Sequence, residues 1–554
     1  MPQTQATNPT ASAAHSALDL LIVGAGFAGL YMLYKARQQG LRAQVLEAAD
    51  SVGGTWYHNR YPGARVDIQS MEYSFGFDEA LQQEWCWSER YAPAAELLRY
   101  ANHVADRFGL RDGIQLNTRV GKLVWDEASS TWQVTSQQGG TSGPPEHWQA
   151  RFVVMASGPL SSPNTPAFKG LDTFKGPVYH TAAWPKTPVD FTGQRVAVIG
   201  TGSSGVQSIP IIAGQAAHLT VFQRTAAYAA PAHNGPLDAA FEAHIKSDYQ
   251  GFRQRNWLMN GGFGSEYPPN MVSALKASPE ERQARFEERW QVGGFAILGA
   301  FSDLLRSQEA NSLAADFVRS KIRDIVKNPA TAALLSPHHT IGCKRLCVDT
   351  GYYATFNRPN VALVDISQSP IDAITPTGLR AGGQDYAVDA LVLATGFDAI
   401  TGSVMRLDMR GKGGLRIQDK WKPGPLNYLG LMTTGFPNLF HVAGAGSTSA
   451  FTNVMVSIEH HVNWIADCLA WLTAQGRSTI EPTLQAETDY VAHVNQVAAG
   501  TVMLTCNSWY LGANIPGKPR MFMPLVGFPP YVQKCAEVAR NGYAGFTVAD
   551  GPQF

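Results

Sequence analysis

The run Leu20-Leu21-Ile22-Val23-Gly24-Ala25-Gly26-Phe27-Ala28-Gly29 passes from an apolar, strand-like segment into a glycine-rich turn. A second copy of the pattern is Val196-Ala197-Val198-Ile199-Gly200-Thr201-Gly202-Ser203-Ser204-Gly205. A glycine turn between a strand and a helix is the context that gives a G-x-G-x-x-G pattern meaning as a dinucleotide site. Gly24, Gly26 and Gly29, and equally Gly200, Gly202 and Gly205, allow a tight turn. They also let a pyrophosphate approach the backbone amides at a helix start, where Ser203 and Ser204 stand in the second copy.

The two copies part company one strand later. Ala43-Gln44-Val45-Leu46 ends in Glu47, a carboxylate suited to a free ribose 2'-hydroxyl. Leu219-Thr220-Val221-Phe222 is followed by Gln223, Arg224 and Thr225, and a cation there suits a 2'-phosphate. FAD is therefore expected at the first turn and NADPH at the second, so that electrons pass from nicotinamide to flavin.

A chain of 554 residues is too long for one core and is expected to split into several domains. The 44 basic residues balance the 44 acidic ones, which gives no footprint for nucleic acid or a membrane surface. No apolar stretch reaches membrane-spanning length. The six cysteines are Cys86, Cys343, Cys347, Cys468, Cys506 and Cys535. They form no Cys-x-x-Cys pair, which argues against a disulfide framework, a metal site and a dithiol reductase. They read as reduced, mostly buried thiols of a cytoplasmic protein. Residues 1–17 read as a disordered leader without a signal peptide's apolar core.

The expected fold is α/β, with two Rossmann-like dinucleotide-binding domains and a helical insertion. FAD-binding segments are expected at 18–157 and 390–554, and NADPH-binding segments at 158–235 and 337–389. Between the latter, residues 236–336 read as the insertion. Within it Ser278-Pro279-Glu280-Glu281 signals a helix start, and a further helix is predicted from Ser312 to Lys327, stopping at Asn328-Pro329. Pro423 to Asn453 reads as a long irregular segment of the kind that builds sites on α/β scaffolds.

Between the two turns lies Phe174-Lys175-Gly176-Pro177-Val178-Tyr179-His180-Thr181-Ala182-Ala183-Trp184-Pro185. It matches F-x-G-x-x-x-H-x-x-x-W-P, and on Phe174, Gly176, His180, Trp184 and Pro185 the chain resembles the FAD- and NADPH-dependent Baeyer–Villiger monooxygenases. Further matches are Gly54-Thr55-Trp56, Tyr61 to Asp67, Gly342-Cys343-Lys344-Arg345, Ser449 to Asn453 and Ser508 to Lys518. The loop at Ser449 is more similar to the phenylacetone monooxygenase branch than to the cyclohexanone branch.

The resemblance implies insertion of one oxygen atom of O2 beside a ketone carbonyl, giving an ester or lactone. A flavin C4a-peroxide must stay anionic to attack the carbonyl, and a cation that never gives up its proton is the suitable stabiliser. Arg345 matches the family's active-site arginine, and Asp67 the carboxylate that positions it. Lys344 resembles the lysine that pairs with the 2'-phosphate beside Arg224 and Thr225; alone it would read as a solvated charge. Trp509 resembles a donor to the nicotinamide ribose, and equally fits as a core tryptophan. Thr55 and Trp56 stand near the flavin or in plain packing. Ser449, Ala450, Phe451 and Val454 are the expected substrate pocket, or ordinary buried apolar chain. His180 is expected to anchor a crossing between domains and to carry no catalytic proton. The alternative activity is a flavin-containing N- or S-monooxygenase. The partners are expected to be small molecules, a ketone and O2, with the oligomeric state open and a monomer acceptable.

Overall fold

The computed structural model describes residues 17–140, 143–522 and 524–550; the predicted leader otherwise lies outside them. Two sheets organise the chain. In the first, the parallel strands Leu18–Val23, Ala43–Leu46 and Ile114–Gln115 lie on one side of the long strand Pro145–Met155. The late strand Leu439–His441 joins the other side of its C-terminal half, in parallel. The strands Thr118–Asp126 and Thr131–Gln138 extend the sheet through antiparallel pairing. The second sheet is entirely parallel, in the order Val361–Asp365, His218–Gln223, Arg195–Ile199, Ala390–Leu393, Val178–His180. Arg195–Ile199 and Ala390–Leu393 in the second sheet are near-continuous buried apolar runs, as a parallel sheet covered on both faces requires, whereas Thr118–Asp126 in the first alternates buried and exposed positions.

The chain leaves the first sheet after Met155 and re-enters it after Leu393, and the two crossings run side by side. Asn164 donates its backbone N–H to Gly396 O at 3.0 Å and Asp398 to Ser162 O at 2.9 Å, with a bridge between Pro163 and Phe397.

A second excursion leaves after Ala229–Pro231 and returns at Cys347–Asp349. These short strands pair in parallel and close it at the base. The excursion is helical: Ala239–Ser247, Tyr249–Trp257, Pro279–Val292, Gln308–Ile325 and Pro329–Leu335. The predicted start at Ser278 carries a full capping box with Glu281. The helix predicted from Ser312 begins four residues earlier, because Ser307 accepts from Ala310 N and serves as cap. Asn328, predicted as a stop, also caps the next helix through Ala330 N and Thr331 N.

The expectation of six reduced thiols is corrected here. Cys343 and Cys506 form a disulfide, with Cα atoms 6.1 Å apart at a sequence separation of 163. Local spacing, the signal that excluded a disulfide framework, says nothing about a pair joined through tertiary folding. Cys347, Cys468 and Cys535 are buried free thiols and Cys86 is exposed. No described helix is long and apolar enough to cross a membrane.

Candidate functional site

Each glycine turn brings its helix close against the strand that precedes it. A Cβ on Gly29 would lie 1.9 Å from Gly24 O, and one on Gly205 would lie 2.3 Å from Gly200 O. Neither position tolerates a side chain, so each helix packs directly on the turn before it. Gly24 and Gly200 take left-handed φ values of 105° and 110°, which favour glycine. Gly26 and Gly202 stand at the N-caps of Phe27–Gln38 and Ser203–Gln215, and neither helix start carries a side-chain cap. Their first N–H groups are left for an anion, and nothing lies within 4 Å of where a Cβ on Gly202 would be.

Glu47 is buried, and its two oxygens accept from Ala25 N at 2.6 Å and Ala49 N at 2.8 Å. Burial pushes its carboxyl up, against those two bonds. A carboxylate has further lone pairs, so ribose hydroxyls can still donate to it. At the second turn Arg224 and Thr225 are exposed, and Thr225 O takes the Thr201 hydroxyl at 3.0 Å. Lys344 is half-buried beside them. Its ammonium is pushed down, first by burial and then by repulsion from Arg224. No carboxylate among the described residues pairs with Lys344 or Arg224. Two cations held together without a counter-charge fit a bound phosphate. The donors present thus suit FAD at the first turn and NADPH at the second.

Arg345 lies just before Cys347–Asp349, at the base of the helical excursion, and reaches across to the first sheet's half of the molecule. Its Nε donates to Asp67 Oδ2 at 2.6 Å and its Nη2 to Asp67 Oδ1 at 2.9 Å, a bidentate fork. Nη1 donates to Ala450 O at 3.3 Å, and the Phe295 ring lies 5.0 Å from the guanidinium carbon. The side chains of Arg345 and Asp67 are 23% and 26% exposed. Burial alone would pull the guanidinium down, but Asp67 and the Tyr510 hydroxyl outweigh it and hold it above its ordinary range. The group is a fixed positive charge.

A small, largely apolar pocket opens beside this pair, lined by Ala450, Phe451, Tyr510, Met521, Phe522 and the turn Gly444–Ser447. The rings of Phe451 and Tyr510 meet at a tilt with centroids 4.6 Å apart, and those of Tyr510 and Trp509 likewise at 4.2 Å. Val454 instead begins the helix Val454–Ala474, outside the lining. Ser449 belongs to the short turn Thr448–Phe451, and its side chain lies outside the described residues. Trp509 is half-buried in a small apolar cluster with Tyr510. Thr55 and Trp56 open the short helix Thr55–His58, with Trp56 buried edge-on to Tyr73 at 5.8 Å.

The F-x-G-x-x-x-H-x-x-x-W-P residues fall at the crossings. His180 Nδ1 accepts from Ala182 N at 3.0 Å, so Nε2 carries the hydrogen. Nε2 lies 3.1 Å from both Asn164 O and Thr395 Oγ1, one on each crossing. Thr395 itself donates to Asn164 O at 2.7 Å. Burial pushes the His180 imidazole down, which keeps it neutral. Trp184 is buried against Tyr179 and Phe191, and a Cβ on Gly176 would strike Asp389 O at 2.2 Å. Phe174 packs on the apolar cluster under the second sheet. Pro185 is half-buried.

Comparison with known proteins fits this arrangement. Residues 21–247 match the family described as pyridine nucleotide-disulphide oxidoreductase. The chain is 41% identical to a Baeyer–Villiger monooxygenase of Pseudooceanicola batsensis over 532 residues, covering 95% of each chain. It belongs to the Baeyer–Villiger monooxygenase family. A solved structure titled "Oxidized steroid monooxygenase bound to NADP" superposes with a TM-score of 0.91 at 48% identity, covering 97% of this chain and all of that one. The family's neighbourhood also holds a phenazine N-monooxygenase of Lysobacter antibioticus, 40% identical over 96% of this chain and 97% of its own.

Sequence reasoning missed Phe295 and Tyr510 as neighbours of Arg345. Tyr510 lay inside a quoted motif, beside Trp509. Phe295 sits in the helical excursion, where nothing in the local sequence distinguishes it from core.

Proposed function

We propose that this chain is an FAD- and NADPH-dependent Baeyer–Villiger monooxygenase that inserts one atom of O2 beside a ketone carbonyl to give an ester or lactone. The bound cofactors supply the hydride and the activation of dioxygen. The observation that carries the proposal is the Arg345–Asp67 fork beside an apolar cavity. Asp67 fixes the plane of the guanidinium, Ala450 O and the Tyr510 hydroxyl each take a further N–H, and the remaining one is left to meet negative charge on oxygen. Because Arg345 keeps its proton, it stabilises an anion without neutralising it. Phe451, Tyr510, Met521 and Phe522 exclude water and present an apolar wall to the ketone. Lys344 and Arg224 hold the 2'-phosphate, Trp509 reads the nicotinamide ribose, and Glu47 reads the flavin nucleotide's ribose. Thr55 and Trp56 stand at the flavin.

On this reading the chain folds into two nucleotide domains with crossings near 157 and 390, and the helical excursion between Pro231 and Cys347 belongs to the second. His180, donating toward both crossings, keeps the domains in register. On the same reading the enzyme is cytoplasmic, its partners are a small ketone and O2, and its oligomeric state is open.

The phenazine N-monooxygenase relative favours a second activity, oxygenation of a nitrogen or sulfur centre. A soft heteroatom attacks an electrophilic oxygen, whereas a ketone needs an anionic one. Arg345 and the Trp184-Pro185 ending favour the ketone. A panel of ketones, aromatic amines and sulfides, with products identified by mass spectrometry, separates the two. Ester formation from ketones supports the proposal, and N-oxide or sulfoxide alone overturns it.

A further inference from the structure

The Cys343–Cys506 disulfide joins two segments that the proposed site uses. Cys343 immediately precedes Lys344 and Arg345, and Cys506 precedes Trp509 and Tyr510. Segment 500–522 is otherwise built from two short turns, Val502–Thr505 and Trp509–Leu511, and irregular chain. Its noncovalent ties at the Cys506 end are weaker than a covalent bond, and they include a hydrogen bond between the Tyr510 hydroxyl and Arg345. Val502 N donates to Leu305 O at 3.0 Å, the Thr340 and Thr505 hydroxyls pair at 2.7 Å, and four buried residues pack together. At its other end Asn514 Nδ2 donates to Phe397 O at 2.8 Å, and Lys518 pairs with Asp398 at 2.6 Å, both on the second crossing. The segment is therefore a strap. One end is covalently fixed to the Arg345 loop and the other is fastened to the linker between the sheets.

The covalent end is open to chemistry from one side. Cys343 is fully buried, whereas Cys506 is half-buried between the exposed residues Thr505 and Asn507.

We infer that the Cys343–Cys506 disulfide is a redox modification site, a latch that a dithiol reductant opens to release the strap bearing Trp509 and Tyr510. One thiolate of the reductant attacks Cys506 Sγ, and Cys343 leaves as thiolate and takes up a proton. The reductant's second thiol then displaces Cys506, which leaves as thiolate and is protonated in turn. The protein gains two electrons and two protons, and the reductant ends as its own disulfide. Opening removes the tether that holds Trp509 at its station, so the competent arrangement becomes a fraction of the population. If that fraction is a tenth, the apparent Kd for NADP+ rises about tenfold. In a reducing compartment a disulfide of this kind belongs with redox sensing, whereas in an oxidising one it would only staple the fold. The effect on NADP+ rests on the nucleotide-site reading above; the latch itself does not.

The full-length, FAD-loaded protein is prepared oxidised, and again after dithiothreitol and desalting, alongside Cys506→Ser. Alkylation under denaturing conditions counts thiols by mass. Limited chymotrypsin digestion follows cleavage at the buried Trp509-Tyr510-Leu511 turn, and titration gives the NADP+ Kd. The inference expects four alkylated thiols in the oxidised protein and six after reduction. It expects faster cleavage at that turn on reduction and in Cys506→Ser, with no further response of the variant to dithiothreitol. Six thiols in the oxidised protein, or cleavage unchanged by reduction, overturns it. Faster cleavage with an unchanged NADP+ Kd upholds the latch and overturns only the assignment of Trp509 to the nucleotide.

Discussion

Replacing Arg345 by Lys separates charge from geometry. The guanidinium spends Nε and Nη2 on the two oxygens of Asp67, at 2.6 and 2.9 Å, and Nη1 on Ala450 O at 3.3 Å. An ammonium on a flexible stem keeps the positive charge but has no planar fork, so it cannot satisfy both carboxylate oxygens and still face the cavity. A hydrogen bond to a charged group contributes about 1.5–3 kcal/mol. The pair is about three-quarters buried, its side chains being 23% and 26% exposed, so screening trims that range only modestly. Taking about 2 kcal/mol, all of it expressed in the oxygenation step, product formation falls about 30-fold. Bleaching of the flavin by NADPH continues, because the hydride donor's site is untouched. The assay follows NADPH consumption, hydrogen peroxide and ester together, with Arg345→Ala as the charge-free control. The expected result is continued NADPH oxidation that yields peroxide in place of ester, more completely for Ala than for Lys. Ester formation by Arg345→Lys within twofold of the parent, at equal coupling, would refute the reasoning, since geometry would then be irrelevant.

Lys344→Ala should raise KM for NADPH about tenfold while leaving KM for NADH nearly unchanged, because it removes one of two cations from the phosphate; an equal rise for both removes that contact. Substitution of Phe451 by Ala or Leu should shift preference between small and bulky ketones at constant FAD content, and an unaltered ranking across the panel would take Phe451 out of the pocket. Acid should destabilise the fold. Burial pushes His441 and His460 down to about 4 and His461 well below its ordinary value, and burial with Lys344 holds His339 down at about 4. The unfolded chain takes up those protons first, so this stability is complete above about pH 6.5 and is lost as pH falls toward 4. Burial raises Glu72 and Glu459 to about 7 and raises Glu47 and Asp349 as well, which acts in the opposite direction, but His58 and His180 are also lowered, so four carboxyls stand against six imidazoles. Melting curves at fixed ionic strength should therefore move down between pH 6.5 and 5, and a Tm that climbs on acidification would contradict this balance.

Much of the fold was legible because its signals are local. Each glycine turn sits between a strand and a helix only a few residues away, and Glu47 and Arg224 lie at the next strand end. The pairing of Arg345 with Asp67, separated by 278 residues, became legible only through the motifs that carry each residue. His180 was expected at a crossing, but its partners Asn164 and Thr395 could not be named, since they meet only after both crossings have come together. Phe295 carried no signal, because an aromatic residue in a helical region reads as core wherever it points. The disulfide was misjudged for the same reason. A bond between residues 343 and 506 is a property of the folded surface, and no spacing along the chain encodes it.

The paired crossings have a mechanical consequence. The two linkers between the sheets hydrogen-bond to each other and so cannot flex independently. The halves also meet at the Arg345–Asp67 fork, at the Tyr61 hydroxyl on Gln207 at 2.8 Å and at the Lys186–Asp50 pair. Any shift of the second nucleotide relative to the first therefore has to bend both linkers together and slide or break the contacts that stand between the halves.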